Sequence, residues 1–182
     1  MRNILGVNKI RAWWRDRRDP PPYVPGMDAA GVVDQLGPEA DGRLSTGERV
    51  VALVVPTGAR RLRRARRGAR RVGRARSGRG RLPAAATWLM NAMVARLALD
   101  ALALRSGDTV AVTGAAGAFG GYVIQFAKAV GLRVIADAQP ADAELVRELG
   151  AGHVVERGDE VAARIRELAP ERVPGLADGA VL

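Results

Sequence analysis

The chain has 182 residues, 48% of them hydrophobic, with no cysteine and a single histidine. That length can bury a sizeable core, while the composition excludes disulfides, thiolate-held metals and any site built from several histidines. The formal net charge of +10 would point toward nucleic acid, but twelve of the 29 basic residues lie between Gly58 and Arg81, and without them 17 basic residues face 19 acidic ones, a net of −2.

The N-terminal stretch "MRNILGVNKIRAWWRDRR" lacks the continuous apolar core of a signal peptide. The apolar stretch Ala84 to Leu104 is interrupted by Asn91, Arg96 and Asp100. A soluble, cytoplasmic protein with no membrane partner is expected. Between Pro20 and Val55, two β-prone runs, Ala30 to Val33 and Arg49 to Val55, are separated by Gly and Pro turn signals, so residues 1–57 read as a small β-rich unit. The arginine-rich segment, residues 58–82, has neither an alternating nor a helical apolar pattern and is expected to be disordered and extended by self-repulsion.

From Pro83 to Leu104 the pattern becomes helical, with Leu89, Met93, Leu97 and Ala101 at spacings of four, and residues 83–107 form a connecting helix and loop. Residues 108–182 then alternate strands and helices. "DTVAVTG" is a β-branched strand, and "GGYVIQFAKAV" a helix with Val123, Ile124, Ala127 and Val130 on one face and Gly131 closing it. The strand "LRVIADA", the helix "ADAELVRELG", the strand "HVV", the helix "DEVAARIREL" and the last apolar run "ADGAVL" follow. This alternation predicts an α/β fold with a parallel sheet. His153, at the head of "HVV", reads as structural, with no chemistry assigned.

The segment that carries chemistry is "VAVTGAAGAFGG", with Ala115, Gly117 and Gly120 in an A-x-G-x-x-G relation at a strand-to-helix turn. Such a turn must be tight, must let backbone approach a pyrophosphate, and must aim the N–H groups of a helix start at its charge. Context raises it above a bare glycine pattern, because it follows a strand, opens a helix and precedes a second strand. Gly114, Ala115, Ala116, Gly117, Ala118, Phe119 and Gly120 are therefore the candidate cofactor-binding residues. An acid at the end of the second strand would accept from a ribose 2′-hydroxyl and repel a 2′-phosphate. Asp137 lies twenty residues beyond Gly117, but Ala138 is an equally good tip for that strand.

Two separated blocks, "VPGMDAAGVVDQLG" with "STGERVVAL", and "MNAMVARLALDALALRSGDTVAVTGAAGAFGGYVIQFAKAVGLRVIADA", resemble the medium-chain dehydrogenase/reductase superfamily, specifically its zinc-free quinone oxidoreductase branch, which includes zeta-crystallin. The resemblance implies a partial GroES-like catalytic domain over 1–57 and a partial Rossmann dinucleotide-binding domain over 108–182. It also implies hydride transfer from a nicotinamide dinucleotide to a quinone or other small α,β-unsaturated carbonyl. NADPH is the expected cofactor, with NADH possible, because the branch seldom has an acid at the position of Ala138. No metal is expected. Asn8 corresponds to an asparagine near the nicotinamide, and Val94 stands where the family has a threonine that meets the cofactor. Family members form homodimers.

The resemblance also predicts departures. In the family, the segment after "VALVVPTG" carries a strand like "GAYAEHVV". One legal codon choice for "RLRRARRGA", Arg61 to Ala69, read one base later, encodes "AYAEHVVA". Residues 58–82 are therefore expected to be either a shifted reading frame or a natural linker. The chain stops at Leu182, in the expected fourth strand of the cofactor domain, so the nicotinamide half of the cleft is expected to be missing and the chain to be an impaired fragment. Two other functions stay open: a nucleic-acid-binding protein using the arginine-rich segment, or a non-catalytic nucleotide-binding fragment. Without interleaved aromatic residues for base stacking, nucleic-acid binding is expected to be nonspecific at most.

Overall fold

The computed structural model describes residues 28–38, 43–53, 71–74 and 82–180. Asn8 lies outside them. The chain divides into two compact units, Met1–Leu89 and Met90–Leu182.

In the first unit, β1 (Asp28–Val32) and β2 (Arg49–Leu53) pair antiparallel, with Asp28 opposite Leu53 and Val32 opposite Arg49. The connection is pinned at its base by two backbone bonds, Val33 N–H to the Glu48 carbonyl at 2.9 Å and Gly47 N–H to the Val33 carbonyl at 2.8 Å. Val51 and Ala52 are buried. Where the arginine-rich segment is described, it departs from the expected irregular chain: Arg71–Arg74 forms β3, antiparallel to β2 with Val51 opposite Gly73. Backbone pairing explains this, because the outer edge of β2 offers N–H and C=O groups that any non-proline chain can satisfy. A short helix, α1 (Leu82–Ala85), lies beside β1.

The second unit begins with α2 (Leu89–Leu102). The helix expected from Pro83 onward is thus divided by a turn at Ala86–Trp88. Its buried residues are Ala92, Ala95 and Leu99, whereas Leu97 is 58% exposed. The physical reason is the helical pitch: a strict spacing of four drifts around a helix of 3.6 residues per turn, while Ala92, Ala95 and Leu99 stay on one face. By length and composition alone, the run Leu82–Leu102, with mean hydropathy 1.3, could cross a membrane. Here Ala95 and Leu99 instead join the core over the sheet.

The sheet holds β4 (Thr109–Thr113), β5 (Arg133–Ala138), β6 (His153–Glu156) and β7 (Gly175–Asp178) in the order β6-β5-β4-β7, all parallel. The expected last apolar run, "ADGAVL", overlaps only the end of β7. Helices α3 (Ala118–Ala129), α4 (Ala143–Leu149) and α5 (Val161–Leu168) supply the crossovers. Side chains alternate along each strand, so the sheet has two apolar faces. Val110, Val112, Val134, Ala136 and Ala177 meet Val123, Ile124 and Ala127 of α3 and Val146 of α4 in the main core. Ala111, Ile135 and Val155 meet Ile165 of α5 on the opposite face. Leu176, on the terminal strand β7, is 53% exposed. Val130, expected on the apolar face of α3, is its exposed C-cap, and His153 is exposed at the start of β6.

Ile124 is fully buried among these side chains, so Ile124→Ala should destabilise the second unit by about 2–5 kcal/mol. Leu97→Ala, on the exposed side of α2, should change stability by no more than about 0.5 kcal/mol. Urea unfolding of both variants checks the contrast.

Candidate dinucleotide site

Strand β4 runs through the middle of the sheet and delivers the chain directly into the glycine turn. Gly114 has φ +67°, a left-handed conformation that only glycine adopts without strain. The chain that follows β7 also abuts it: a Cβ there would lie 2.5 Å from the Gly179 carbonyl carbon and 2.7 Å from the Ala180 nitrogen. The turn closes through the Gly117 N–H to the Gly114 carbonyl at 2.9 Å. Gly120 packs so tightly over it that a Cβ would lie 2.5 Å from the Gly114 carbonyl oxygen and 2.7 Å from Ala115 Cα. Helix α3 is thereby seated against the strand it follows.

Gly117 is the N-cap of α3, and no side chain caps the helix. No acidic residue lies in the first turn. The N–H groups of Ala118, Phe119 and Gly120 are those a helix start leaves without an intrahelical acceptor, and Ala116, Gly117 and Ala118 are exposed. A negatively charged group placed there meets backbone donors and the positive end of the helix dipole, with no carboxylate competing for them. The seven residues of the predicted turn therefore lie in one turn, with Gly114, Ala115 and Gly120 buried beneath the exposed Ala116, Gly117 and Ala118.

Asp137, one of the two candidates at the end of the second strand, is buried and hydrogen-bonded to the turn. Strand β5 ends at Ala138, and Asp137, 2% exposed, turns its Oδ1 to the Ala115 N–H at 3.1 Å. Its Oδ2 faces the Arg157 guanidinium, 4.0 Å from Nε. The carboxylate thus holds the glycine turn from beneath. Ala138, on the opposite face of the strand, is buried in the main core. Val94 is exposed on α2.

Three contributors escaped sequence reasoning. Thr113, the last residue of β4, donates its hydroxyl to Asp178 Oδ1 at 2.5 Å, and the same oxygen accepts the Ala180 N–H at 2.9 Å. Gly179 donates its N–H to the Thr113 carbonyl at 2.9 Å, and a Cβ on it would strike the Phe119 ring at 2.9 Å. Arg157 donates its backbone N–H to the Ala138 carbonyl at 2.9 Å, which sets it at the carboxyl end of β5. The two come together because β4 is followed by a crossover to β5 on one side while β7 pairs with its other side, and ligands of open α/β sheets bind outside the carboxyl ends of the strands where the order reverses in this way. Among the described residues, no three His, Asp or Glu side chains converge on a point where a metal could sit.

Comparison with known proteins places this geometry. The alcohol dehydrogenase GroES-like domain family matches residues 4–88. A quinone oxidoreductase from Pseudomonas aeruginosa is 31% identical over 176 residues, covering 90% of this chain and 51% of the relative. A probable quinone oxidoreductase from Schizosaccharomyces pombe is 30% identical over 168 residues, covering 90% of this chain and 47% of the relative. The chain belongs to the medium-chain dehydrogenase/reductase superfamily. Within it, the chain is quinone oxidoreductase-like. It spans about half the length of the curated relatives it matches. Among solved structures, a mycobacterial protein complexed with NADPH superposes with a TM-score of 0.75 at 25% identity, covering 99% of this chain and 56% of that one. A Pseudomonas syringae quinone oxidoreductase gives 0.70 at 26% identity, covering 93% and 54%. The α/β architecture and the GroES-like unit expected from the sequence are therefore those of this superfamily.

Because the atoms met by a Cβ on Gly120 belong to backbone, Gly120→Ala should displace the turn and cost about 1–3 kcal/mol. At the next position a Cβ meets only the end of the Leu149 side chain, at 3.3 Å, so Gly121→Ala should be the milder change. Thermal unfolding of the pair checks the order. Asp137→Ala leaves the Ala115 N–H without its acceptor and should cost a further independent increment of about 1–3 kcal/mol, read by the same measurement.

Proposed function

We propose that this chain carries the pyrophosphate- and adenosine-binding part of an NAD(P)H-dependent oxidoreductase that reduces a quinone or a related α,β-unsaturated carbonyl. The observation that carries the reading is the turn Gly114–Gly120, where backbone alone forms a cradle at the start of α3. The cofactor supplies the hydride; the residues of this chain bind and orient it. The N–H groups at the start of α3 hold the pyrophosphate. Gly114 and Gly120 admit it by keeping side-chain carbon out of the turn, and Asp137 and Asp178 fix the turn against β5 and β7. No side chain is assigned to hydride transfer itself.

NADPH is the proposed cofactor, in keeping with the NADPH complex of the mycobacterial protein. Chemistry without zinc fits a chain with no cysteine and one histidine. A cytoplasmic homodimer that acts on small carbonyl compounds completes the reading, and the arginine-rich segment is given no part in it.

Titration of the full 182-residue chain with NADPH, followed by the cofactor's fluorescence, tests the proposal. Saturable binding is expected, weakened at least tenfold in Gly120→Ala. Absence of saturable binding by the folded wild-type chain would overturn it.

A further inference from the structure

We infer that the outward face of α2 is the contact between two copies of this chain, which pair there as antiparallel helices about a twofold axis. The inference rests on the homodimer in the proposed function and deepens it by naming the surface that joins the copies. It does not depend on how either copy holds its cofactor.

Helix α2 is apolar on two sides. Ala92, Ala95 and Leu99 are buried, the last two in the main core over the sheet. At about 100° per residue, Val94, Leu97 and Ala101 fall on the opposite side of the helix. All three are exposed, Val94 by 42% and Leu97 by 58%. Their spacings of three and four are those of the seam between paired helices, where each side chain enters a gap on the facing helix. Of the most apolar stretch within Leu82–Leu102, only 17% is buried. In a single copy this face holds apolar surface in water, and covering it removes that surface.

The charges beside the stripe favour a second copy as the cover. Arg96 and Asp100 are the charged residues of α2, and both lie on one flank of the stripe. Their side chains are 53% and 50% exposed, and Arg96 Nε donates to Asp100 Oδ2 at 3.1 Å. When two copies of a helix meet antiparallel about a twofold axis near its middle, this flank faces itself in reverse order. Arg96 of each copy then approaches Asp100 of the other, so the surface complements itself in charge as well as in apolar character. A parallel pair would instead set the charged flank against Asn91 and Ala98, which carry no charge. A lipid surface suits the same face less well, because Ala95 and Leu99 tie the helix to the sheet and the ion pair lies midway along it. With 14 residues, α2 is about 21 Å long, so the contact is at the small end of specific interfaces and should dissociate in the micromolar range.

Sedimentation velocity of the full chain from about 1 to about 200 μM reads the association. Wild type should pass from monomer to dimer across this range. Leu97→Glu should weaken dimerisation about tenfold or more, with circular dichroism showing the variant folded, as expected of an exposed position. Arg96→Asp and Asp100→Arg should each weaken it as well, because each sets like charges together across the axis. An equimolar mixture of these two variants should dimerise again, although neither chain regains an ion pair within its own helix. A wild-type dimer that persists in Leu97→Glu, or a mixture that stays monomeric, would overturn the inference and leave the homodimer standing. A wild type that is monomeric throughout would bring down the homodimer and the inference together, with NADPH binding as the separate measure of the dinucleotide reading. Flotation of wild type with phosphatidylcholine vesicles, lost in Leu97→Glu, would assign the face to lipid and overturn the inference too.

Discussion

The close approach of backbone to backbone at Gly114 and Gly120 is the constraint on which the second unit depends. With a left-handed residue at the end of β4 and no Cβ at the start of α3, the helix seats directly on the strand it follows. That seating brings Val123, Ile124 and Ala127 down onto Val110 and Val112, and so connects the geometry of the turn to the packing of the core. The same absence of side-chain atoms exposes backbone donors at the helix start. Stability of the fold and access for an anion therefore come from one set of residues, and a change that fills the turn with carbon strains both.

Most of the second unit was legible because its signals are local and periodic. The β-branched run before the turn, the apolar face of α3 and the glycine that follows it each specify one element, and each lies where expected except Val130, which is the exposed C-cap. What escaped was contact between residues distant in sequence. Asp137 and Ala115 are 22 positions apart, and Thr113 and Asp178 are 65 apart. Nothing in the spacing says that an acid near the end of β5 will bury itself under the turn instead of facing solvent. Strand registers decide it, through side chains that alternate between two covered faces. The same cause lies behind the misjudged face of α2, where apolar composition alone does not say which stripe the sheet will meet.

The first unit shows how far fold and side-chain preference can separate. Four residues inside the arginine-rich segment, Arg71–Arg74, complete a three-stranded antiparallel sheet with β1 and β2. Their composition is poor for a strand, and their main-chain groups pair with those of β2. The strand that the resemblance implies over Arg61–Ala69 lies outside the described residues, whereas the sheet takes Arg71–Arg74 in spite of its arginines. The match to the alcohol dehydrogenase GroES-like domain family runs through this segment as well as through the block before it.

The terminal position of β7 has a consequence for the behaviour of the chain in solution. One side of β7 is bonded to β4; the other is a row of main-chain donors and acceptors at the border of the sheet, next to the exposed side chain of Leu176. A parallel sheet normally carries helices over both faces, and a border of this kind is a template on which another strand can be laid. The second unit thus has a closed, well-packed interior and an open margin. Among the described residues no strand covers that margin, and a further strand, from the same chain or another, would find main-chain partners there.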